Sequence, residues 1–356
     1  VTGCLHGCDY CLTPDTPVLM ADMTWRPIGE LRTGDQILGF DEESSRGFER
    51  RWRTATVEAT WRTIKPAHRI VFSDGREVIA SAEHKWLCVG NQWRTTVELR
   101  PGTRVRAVFP VETIKQDEDY EAGYVAGVTL GDGTFRWDPS WRSDKLGFPQ
   151  SYWRVAVLED DRAILDRLRA YLARVSVNVD VRPFQGGNRP MVKVETRKLS
   201  NMPVINKLCR ERASDTWWAG WLAGMFDAEG STSGGSLRIS QKDIKVLKAV
   251  VDAASRLGFT FQIEEWDRNT PTARLVGDGI ERARFLATLR PALARKGAGL
   301  EGAKVRTGEA VVVSVSRSVD VEMVDITTST RTFVAAGLLT HNCYARAIAA
   351  RFPDGF

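Results

Sequence analysis

The two ends of the chain carry short runs of alternating apolar and polar residues. Alternation with a period of two places successive side chains on opposite faces of a strand. Such runs occur at residues 54–63, 68–72, 77–80, 310–316 and 319–326. Ser73-Asp74-Gly75-Arg76 contains the Asp-Gly pair typical of a hairpin turn, and the polar run 41–53 is predicted to be a solvated loop. These patterns predict an all-β unit built from both ends of the chain.

The middle of the chain contains two apolar helical segments that resemble each other. Residues 121–133 and 221–231 are rich in glycine and alanine, and an acid followed by glycine comes near the end of each. Because small residues let helices approach closely, these helices should pack together and bring Asp132 and Glu229 side by side. Two carboxylates at the negative ends of helices repel unless a divalent cation bridges them. The pair therefore predicts a Mg²⁺ site suited to phosphodiester hydrolysis.

Each apolar helix is followed by the same order of elements. Strand-like runs at 152–157 and 237–242 precede amphipathic helices at 161–175 and 246–257. On these strands, Arg, Lys and Gln alternate with apolar residues, a pattern that suits either a DNA-reading surface or an ordinary solvated face. The recurrence predicts a domain made of two similar α/β halves.

Composition places the chain among ordinary globular proteins. The hydrophobic fraction is 43% and the charged fraction 27%, and 356 residues suffice for two domains with separate cores. A net charge of +5 permits a nucleic-acid partner without requiring one. The chain shows neither a membrane-spanning apolar run nor a signal peptide, so we expect a cytoplasmic protein without a membrane partner. Six cysteines are too few for a disulfide framework at this length.

Three cysteines near the amino terminus have a spacing that suits a metal cluster. Cys4, Cys8 and Cys11 read C-x3-C-x2-C, which can ligate three irons of a four-iron cluster and leave the fourth iron open. The pattern resembles the signature of radical S-adenosylmethionine enzymes. Such an enzyme should continue into repeated strand–helix units, and this chain does not.

The segment Thr340-His341-Asn342-Cys343 has the groups needed to break its own backbone. The side-chain amide of Asn342 can attack its own backbone carbonyl, close a succinimide ring and release the residues that follow. His341 can supply the proton that the departing amine requires, and Cys343 offers a thiol for acyl transfer. The three-residue motif means little without a matching nucleophile upstream.

Such a nucleophile stands at Cys11, and the residues from Cys11 to Leu19 resemble the amino-terminal block of an intein. In that family the first residue is the splicing nucleophile. Ser81-Ala82-Glu83-His84 is similar to the intein block that usually reads Thr-x-x-His. The resemblance implies that His84 protonates the amide nitrogen leaving at the upstream junction, while Ser81 keeps the hydroxyl of the usual threonine.

The carboxy-terminal region resembles the last two intein blocks, which correspond here to residues 325–326 and 332–342. The resemblance implies that Asp325 positions or deprotonates the catalytic thiols and that His341 assists cyclisation of Asn342. Alternatively, Asp325 is a structural acid at a strand end, where backbone N–H groups hold its carboxylate. Inteins often carry a histidine in this block, and the nearest match here is Arg331.

The two ends of the chain also make sense when they are joined. Residues 1–10 followed directly by Cys343 restore C-x3-C-x2-C and continue as Cys-Tyr-Ala-Arg. The joined sequence resembles radical S-adenosylmethionine proteins similar to spore photoproduct lyase. The resemblance implies a host that binds a four-iron cluster through Cys4, Cys8 and Cys343 and uses S-adenosylmethionine, whereas splicing itself needs no cofactor.

The paired apolar motifs resemble those of LAGLIDADG homing endonucleases in their single-chain form. The resemblance implies a monomer that uses Mg²⁺, held by Asp132 and Glu229, to cut double-stranded DNA at the host gene site that lacks the insertion. Glu229 stands where Asp is usual in the family. Lys242 and Lys193 are candidates for the basic residues near the scissile phosphates.

The predicted fold is α+β, with an all-β horseshoe (Hint) splicing domain interrupted by an α/β LAGLIDADG domain of pseudo-twofold symmetry. The expected segments are the first host flank (1–10), the two parts of the splicing domain (11–117 and 306–342), the endonuclease (118–305) and the second host flank (343–356).

Four steps are expected in excision. Cys11 attacks the carbonyl of Tyr10, Cys343 takes over the acyl group, Asn342 cyclises, and an S-to-N shift joins the two flanks. Two alternatives stay open: a radical enzyme that uses Cys4, Cys8 and Cys11 as they stand, and a DNA-binding or endonuclease protein without splicing.

Overall fold

The computed structural model describes residues 10–45, 49–111, 114–138, 151–186, 188–264 and 270–342. Within these ranges the residues up to 111 and from 299 onward form one compact unit, and those from 114 to 298 form a second. The predicted α+β fold is confirmed, because the first unit consists of strands and the second combines helices with sheets. No helix in the described ranges is both long and apolar enough to span a membrane.

Antiparallel strands make up the amino-terminal part of the first unit. They are β1 (Pro17–Leu19), β2 (Trp25–Pro27), β3 (Gln36–Phe40), β4 (Trp52–Phe72), β5 (Glu77–Ser81), β6 (Lys85–Cys88), β7 (Gln92–Thr95) and β8 (Arg104–Ala107). The predicted Asp-Gly hairpin joins β4 to β5. Its Gly75 has a φ of +83°, in the region that favours glycine.

The second unit contains two similar runs of helices and strands. The first run is α1 (Glu118–Asp132), β9 (Gly133–Arg136), β10 (Tyr152–Leu158), α2 (Arg162–Arg174), β11 (Arg182–Phe184), β12 (Met191–Thr196) and α3 (Met202–Leu208). The second run is α4 (Asp215–Glu229), β13 (Gly230–Ser233), β14 (Ser236–Ser240), α5 (Ile244–Arg256), β15 (Phe261–Glu264), β16 (Thr272–Leu275) and α6 (Gly279–Leu289).

The chain completes the first unit with three more strands. They are β17 (Gly308–Thr328), β18 (Thr332–Ala335) and β19 (Leu338–His341). β17 pairs antiparallel with β4 along most of its length. The sequence predicts two shorter runs in place of each of these strands, and Pro66 lies in the gap between the two runs of β4. A register shift between Arg317 and Asp320 lies opposite Pro66 and lets both strands continue past it.

The sheet of the first unit brings the two ends of the chain together. Its strand order is β2-β1-β18-β19-β6-β8-β17-β4-β3, while β5 pairs with β4 and β7 with β6. The early strand β1 is thus bonded to the late strand β18, and β19 lies next to β6 and β8. Its apolar core includes Ile37, Ile70, Trp86, Ile326 and Phe333.

The second unit repeats one arrangement twice. The strand orders of its two sheets are β9-β10-β12-β11 and β13-β14-β16-β15. In both sheets the strands of a run, numbered as they occur along the chain, lie side by side in the order first, second, fourth and third. Each sheet begins directly after one apolar helix, α1 or α4. The predicted construction from two similar α/β halves is therefore present.

Close backbone contact joins α1 to α4. An ideal Cβ on Gly123 would lie 2.0 Å from the carbonyl oxygen of Trp217, and one on Gly220 would lie 1.9 Å from that of Tyr120. Any larger side chain at these glycines would collide with the backbone of the neighbouring helix. The small residues noted in the sequence therefore allow the two helices to pack, as predicted.

A glycine also follows each of these two helices. A glycine after a helix commonly adopts a left-handed conformation. Gly133 and Gly230 instead have φ of −98° and −84°. Their ideal Cβ atoms would lie 2.5 Å from the Thr129 carbonyl and 2.3 Å from the Phe226 carbonyl. Glycine is needed here because each chain turns sharply from helix to strand.

We expect Gly220→Ala to destabilise the second unit by about 2–3 kcal/mol, because its methyl group would meet the Tyr120 carbonyl 1.9 Å away and push the helices apart. Urea unfolding followed by tryptophan fluorescence measures the effect. Gly297→Ala is the matched control, since its nearest atom lies at 3.3 Å. Equal unfolding midpoints for the two variants would contradict the close helix contact.

Candidate active sites

Cys11 is fully buried in the first unit, and hydrogen bonds hold the backbone on both sides of it. The Leu12 N–H donates to the Val324 carbonyl at 3.0 Å, and the Val324 N–H donates to the Leu12 carbonyl at 2.7 Å. The Ser81 N–H donates to the Cys11 carbonyl at 2.9 Å. In return, the Cys11 N–H donates to Oγ of Ser81 at 3.0 Å. The predicted hydroxyl of Ser81 therefore holds the peptide bond between Tyr10 and Cys11.

His84 is fully buried beside the same peptide bond. Its Nε2 contacts the Thr340 hydroxyl, and its ring centroid lies 4.6 Å from that of Trp86. Burial lowers the pKa of His84 to about 3, although the Tyr10 backbone acts to raise it. Nδ1 makes no hydrogen bond of standard geometry with any of the described residues. His84 is therefore a neutral imidazole at pH 7, with one ring nitrogen available close to Tyr10.

His341 is buried between two oxygen atoms. Its Nε2 lies 2.9 Å from Oε1 of Glu42, and its Nδ1 lies 2.6 Å from the carbonyl oxygen of Asn342. Both oxygens are acceptors, so the ring can donate to both only in its protonated form, with a proton on each nitrogen. Burial lowers the pKa of His341, whereas Glu42 and the Asn342 carbonyl act to raise it. The Tyr10 and Trp93 rings pack edge-on against it, at 5.6 and 5.0 Å between centroids.

The side chain of Asn342 is buried and oriented by its neighbours. Nδ2 donates to Oγ1 of Thr328 at 2.9 Å, and the backbone N–H donates to the Arg331 carbonyl at 3.0 Å. Oδ1 has no hydrogen-bond partner within the described ranges. The amide nitrogen that cyclisation would use is therefore fixed from both the side chain and the backbone.

Asp325 is fully buried on β17, close to Cys11. It follows Val324, which forms the backbone bridge to Leu12. Met323, two residues before Asp325, belongs to a small apolar cluster that contains Cys11. Because residues two apart on a strand share a face, Asp325 projects from the side of β17 on which Cys11 lies.

The structure brings the described members of the predicted splicing site into the first unit. The predicted residues Cys4, Cys8 and Cys343 lie outside the described residues. The sequence assigned no role to three neighbours of this site, namely Glu42, Thr328 and Thr340. Glu42 lies in the polar run predicted as a solvated loop, where an acid has no distinguishing signal. Thr340 could have been noticed from its place beside His341.

Asp132 and Glu229 lie together at the ends of α1 and α4. An ideal Cβ on Gly131, next to Asp132, would lie 3.2 Å from Cγ of Glu229. Desolvation, followed by the charge of Glu229, raises the pKa of Asp132 to about 6. Desolvation also raises the pKa of Glu229. Asp132 and Glu229 thus form a pair of repelling carboxylates, which a divalent cation would stabilise.

Two polar residues near these carboxylates, Gln241 and Lys296, were not predicted from the sequence as members of the site. Nε2 of Gln241 donates to Oε1 of Glu229 at 3.1 Å. Nζ of Lys296 donates to the carbonyls of Phe226 and Asp227 at 2.9 and 2.6 Å, so that a cation lies at the end of α4. Lys296 also acts to lower the pKa of Asp132.

The two predicted basic residues, Lys242 and Lys193, are linked less directly to this pair of carboxylates. Lys242 is exposed next to Gln241, and Lys193 pairs with Glu195 at 3.4 Å. No group of three or more His, Cys, Asp or Glu side chains forms a metal site within the described residues. The two carboxylates fit a hard cation such as Mg²⁺, which takes its remaining ligands from water or substrate oxygens.

Comparison with known proteins gives one family match. Residues 216–290, which run from α4 to α6, match the LAGLIDADG-like domain. The matched residues lie within the second run of helices and strands of the second unit.

Similar proteins are also found beyond this domain. The replicative DNA helicase DnaB of Mycobacterium intracellulare is 22% identical over 365 residues, which cover 94% of this chain and 59% of the helicase. The chain thus spans less than two thirds of that relative. Among solved structures, I-DmoI in complex with DNA and Mn is 18% identical, with a TM-score of 0.36 and coverage of 49% and 97%. The Ssp DnaB mini-intein variant M86, as its G-1F mutant, is 10% identical, with a TM-score of 0.35 and coverage of 94% and 98%.

We expect Asp132→Asn to reduce the loss of stability that the second unit suffers as the pH rises from 4 to 7. A carboxyl with a pKa of 3.8 when unfolded and about 6 when folded binds more protons in the folded state, so it destabilises the fold progressively through this window. Urea midpoints at both pH values measure the difference. Asp252→Asn, on exposed α5 surface, is the control, and equal pH dependence in all three proteins would contradict the raised pKa.

Proposed function

We propose that the chain is an intein that excises itself by protein splicing and carries a homing endonuclease. In this proposal the first unit is the splicing domain, expected over residues 11–117 and 306–342, and the second unit is the endonuclease, expected over residues 118–305; residues 299–305 belong to the first unit. One observation carries it: the first unit places the Tyr10–Cys11 bond and Asn342, from opposite ends of the chain, in one buried cluster. Tyr10 packs against His341, while His84 contacts Thr340.

The upstream step is an acyl shift at Cys11. The thiol attacks the Tyr10 carbonyl carbon, a C–S bond forms, the C–N bond breaks, and the nitrogen of Cys11 needs a proton. The Thr340 hydroxyl lies between Nε2 of His84 and the carbonyl of Lys85, the latter at 3.1 Å. When this hydroxyl donates to Nε2, the imidazole carries its proton on Nδ1, next to the junction. His84 then serves as the acid, and Asp325 accepts the proton of the thiol.

The downstream step is cyclisation of Asn342. Nδ2 attacks the residue's own carbonyl carbon while Thr328 holds the amide at 2.9 Å. The negative charge that develops on the carbonyl oxygen is met by Nδ1–H of His341. Cys343, which receives the acyl group before this step, is released with its amine and then forms the new peptide bond with Tyr10.

Burial of the reacting residues contributes to the proposed splicing reaction. Cys11, His84 and Asn342 are fully buried. A thioester formed in such a place is protected from hydrolysis, and charge developing on its carbonyl oxygen meets fixed donors in place of mobile water. This protection favours transfer of the acyl group to Cys343 over its loss to water.

The second unit is proposed to be a Mg²⁺-dependent endonuclease that acts as a monomer on double-stranded DNA. The LAGLIDADG-like match and the paired carboxylates of Asp132 and Glu229 support it. A divalent cation held there would polarise a phosphate and lower the pKa of an attacking water. Gln241 orients Glu229, and Lys242 is proposed to face the DNA backbone. Both halves of the site lie in one chain, so no second copy is needed.

The flanks are proposed to form a radical S-adenosylmethionine protein after splicing. The support is the sequence join, in which Cys343 completes the spacing begun by Cys4 and Cys8. Before splicing, Cys11 occupies the third position, and it leaves with the excised insertion. The host therefore gains its own third cluster ligand, Cys343, only when the two flanks are joined.

We expect the wild-type precursor to yield a fragment of residues 11–342 and a peptide joining residues 1–10 to 343–356, as measured by mass spectrometry. Asn342→Ala should stop the release at Cys343, because the alanine side chain cannot cyclise. Cys11→Ala should block cleavage at Tyr10 and joining of the flanks.

Cys209→Ala is the control, since Cys209 lies in the second unit, and it should splice normally. A wild-type chain that stays intact in reductant would contradict splicing. If that intact chain binds an iron–sulfur cluster through Cys11, the radical-enzyme alternative stands; if it only cuts DNA, the endonuclease alternative stands.

We expect the chain to cut DNA that carries the joined host sequence in the presence of Mg²⁺, and Asp132→Asn and Glu229→Gln to lower the rate by on the order of 10²-fold or more. Both variants should still bind this DNA in a gel-shift assay. Asp252→Asn serves as the control. Cleavage by Asp132→Asn at the wild-type rate would refute this site.

A further inference from the structure

Glu42, in the polar run between β3 and β4, lies against the residues proposed to release Asn342. We propose that Glu42 is a positioning residue for this step, whose carboxylate holds the His341 ring so that Nδ1–H points at the Asn342 carbonyl oxygen. The inference rests on the proposed splicing function. Its basis is the contact of Oε1 with Nε2 of His341 at 2.9 Å, on the far side of the ring from the 2.6 Å contact with Asn342.

The backbone of Glu42 is itself firmly placed. Nη1 of the buried Arg50 donates to the Asp41 carbonyl at 2.8 Å and also contacts the Glu42 carbonyl. The Arg50 guanidinium lies 5.4 Å from the centroid of the Trp93 ring, and Trp93 packs edge-on against His341. One arginine thus orders the start of the polar run and supports an aromatic wall of the His341 pocket.

Arg331 links the carboxylate to the scissile residue. Its Nη1 lies 3.2 Å from Oε2 of Glu42, so the two oxygens of the carboxylate face different partners. The Arg331 carbonyl accepts the N–H of Asn342 at 3.0 Å. Arg331 has a φ of +61°, an unfavourable conformation for arginine that these contacts hold in place. An arginine cannot serve as a base, so its place here is structural, next to the acid that contacts His341.

The contacts explain why the ring needs Glu42. A histidine ring can turn about its Cβ–Cγ bond, and a buried N–H without a partner is costly. The Glu42 carboxylate accepts Nε2–H, which fixes the orientation in which Nδ1 faces the Asn342 carbonyl. During cyclisation the Nδ2–C bond forms, the bond to Cys343 breaks, and the proton lost by Nδ2 is balanced by the proton gained by the departing amine. Donation to the carbonyl oxygen lowers the barrier only in that orientation.

The test separates the two junctions in otherwise full-length chains. Cleavage at Asn342–Cys343 is measured in a Cys11→Ala background, and thiol-induced cleavage at Tyr10–Cys11 in an Asn342→Ala background. We expect Glu42→Ala to slow the downstream cleavage by on the order of 10²-fold and to leave the upstream cleavage unchanged. Glu42→Gln should recover much of the rate, because its amide oxygen still accepts Nε2–H. The ¹⁵N signals of His341 should shift in Glu42→Ala and stay near wild type in Glu42→Gln.

Glu322→Ala is the matched control, because it removes a surface carboxylate that pairs with Arg62 at 3.0 Å in the same unit. Downstream cleavage by Glu42→Ala at the wild-type rate would overturn the role of Glu42. The role would also be overturned if Glu42→Ala and Glu42→Gln each lost both cleavages. A residue that only orients His341 should leave the cleavage at Cys11 unaffected. If the parent chains fail to cleave at either junction, the proposed function is what fails.

Discussion

The backbone bridge between Leu12 and Val324 is the constraint on which the first unit depends. It ties the residue after Cys11 to a long late strand through two hydrogen bonds of 3.0 and 2.7 Å. Val324 lies in the part of β17 that pairs with β4, and β18 pairs with β1. Residues that are far apart in the chain are thereby held within hydrogen-bond distance of one another. Neither end of the chain could supply this geometry alone.

Burial acts in opposite directions on the proton chemistry of the two units. In the first unit it lowers the pKa of His84 to about 3 and keeps the imidazole neutral. In the second, loss of hydration and a like charge raise the pKa of Asp132 to about 6. The largest cause is the same for both shifts, because a low-dielectric surrounding disfavours the charged form of either group. The consequences differ between the two units. In the first, His84 is a neutral donor, and in the second, two repelling carboxylates favour a bound cation.

Polar residues in irregular segments complete both sites. Glu42 and Arg331 flank His341 and Asn342, while Lys296 donates to the carbonyls at the end of α4. Each satisfies buried polar groups that the regular strands and helices leave without partners. The catalytic side chains lie on or beside regular elements, and their orientation depends on these less regular neighbours.

Local patterns determined much of this protein. The small residues of the two apolar segments predicted the close pair α1 and α4, and the resemblance of Ser81-x-x-His84 to an intein block implied a hydroxyl and an imidazole beside Cys11. Such features are readable because a strand turn, a helix contact or a short block involves residues near one another in sequence. Tertiary structure decided the rest. Pro66 does not end β4, because pairing with β17 carries the strand past it. Glu42 lies in a polar run without any distinguishing pattern, and only folding places its carboxylate 2.9 Å from His341, almost the whole chain away in sequence.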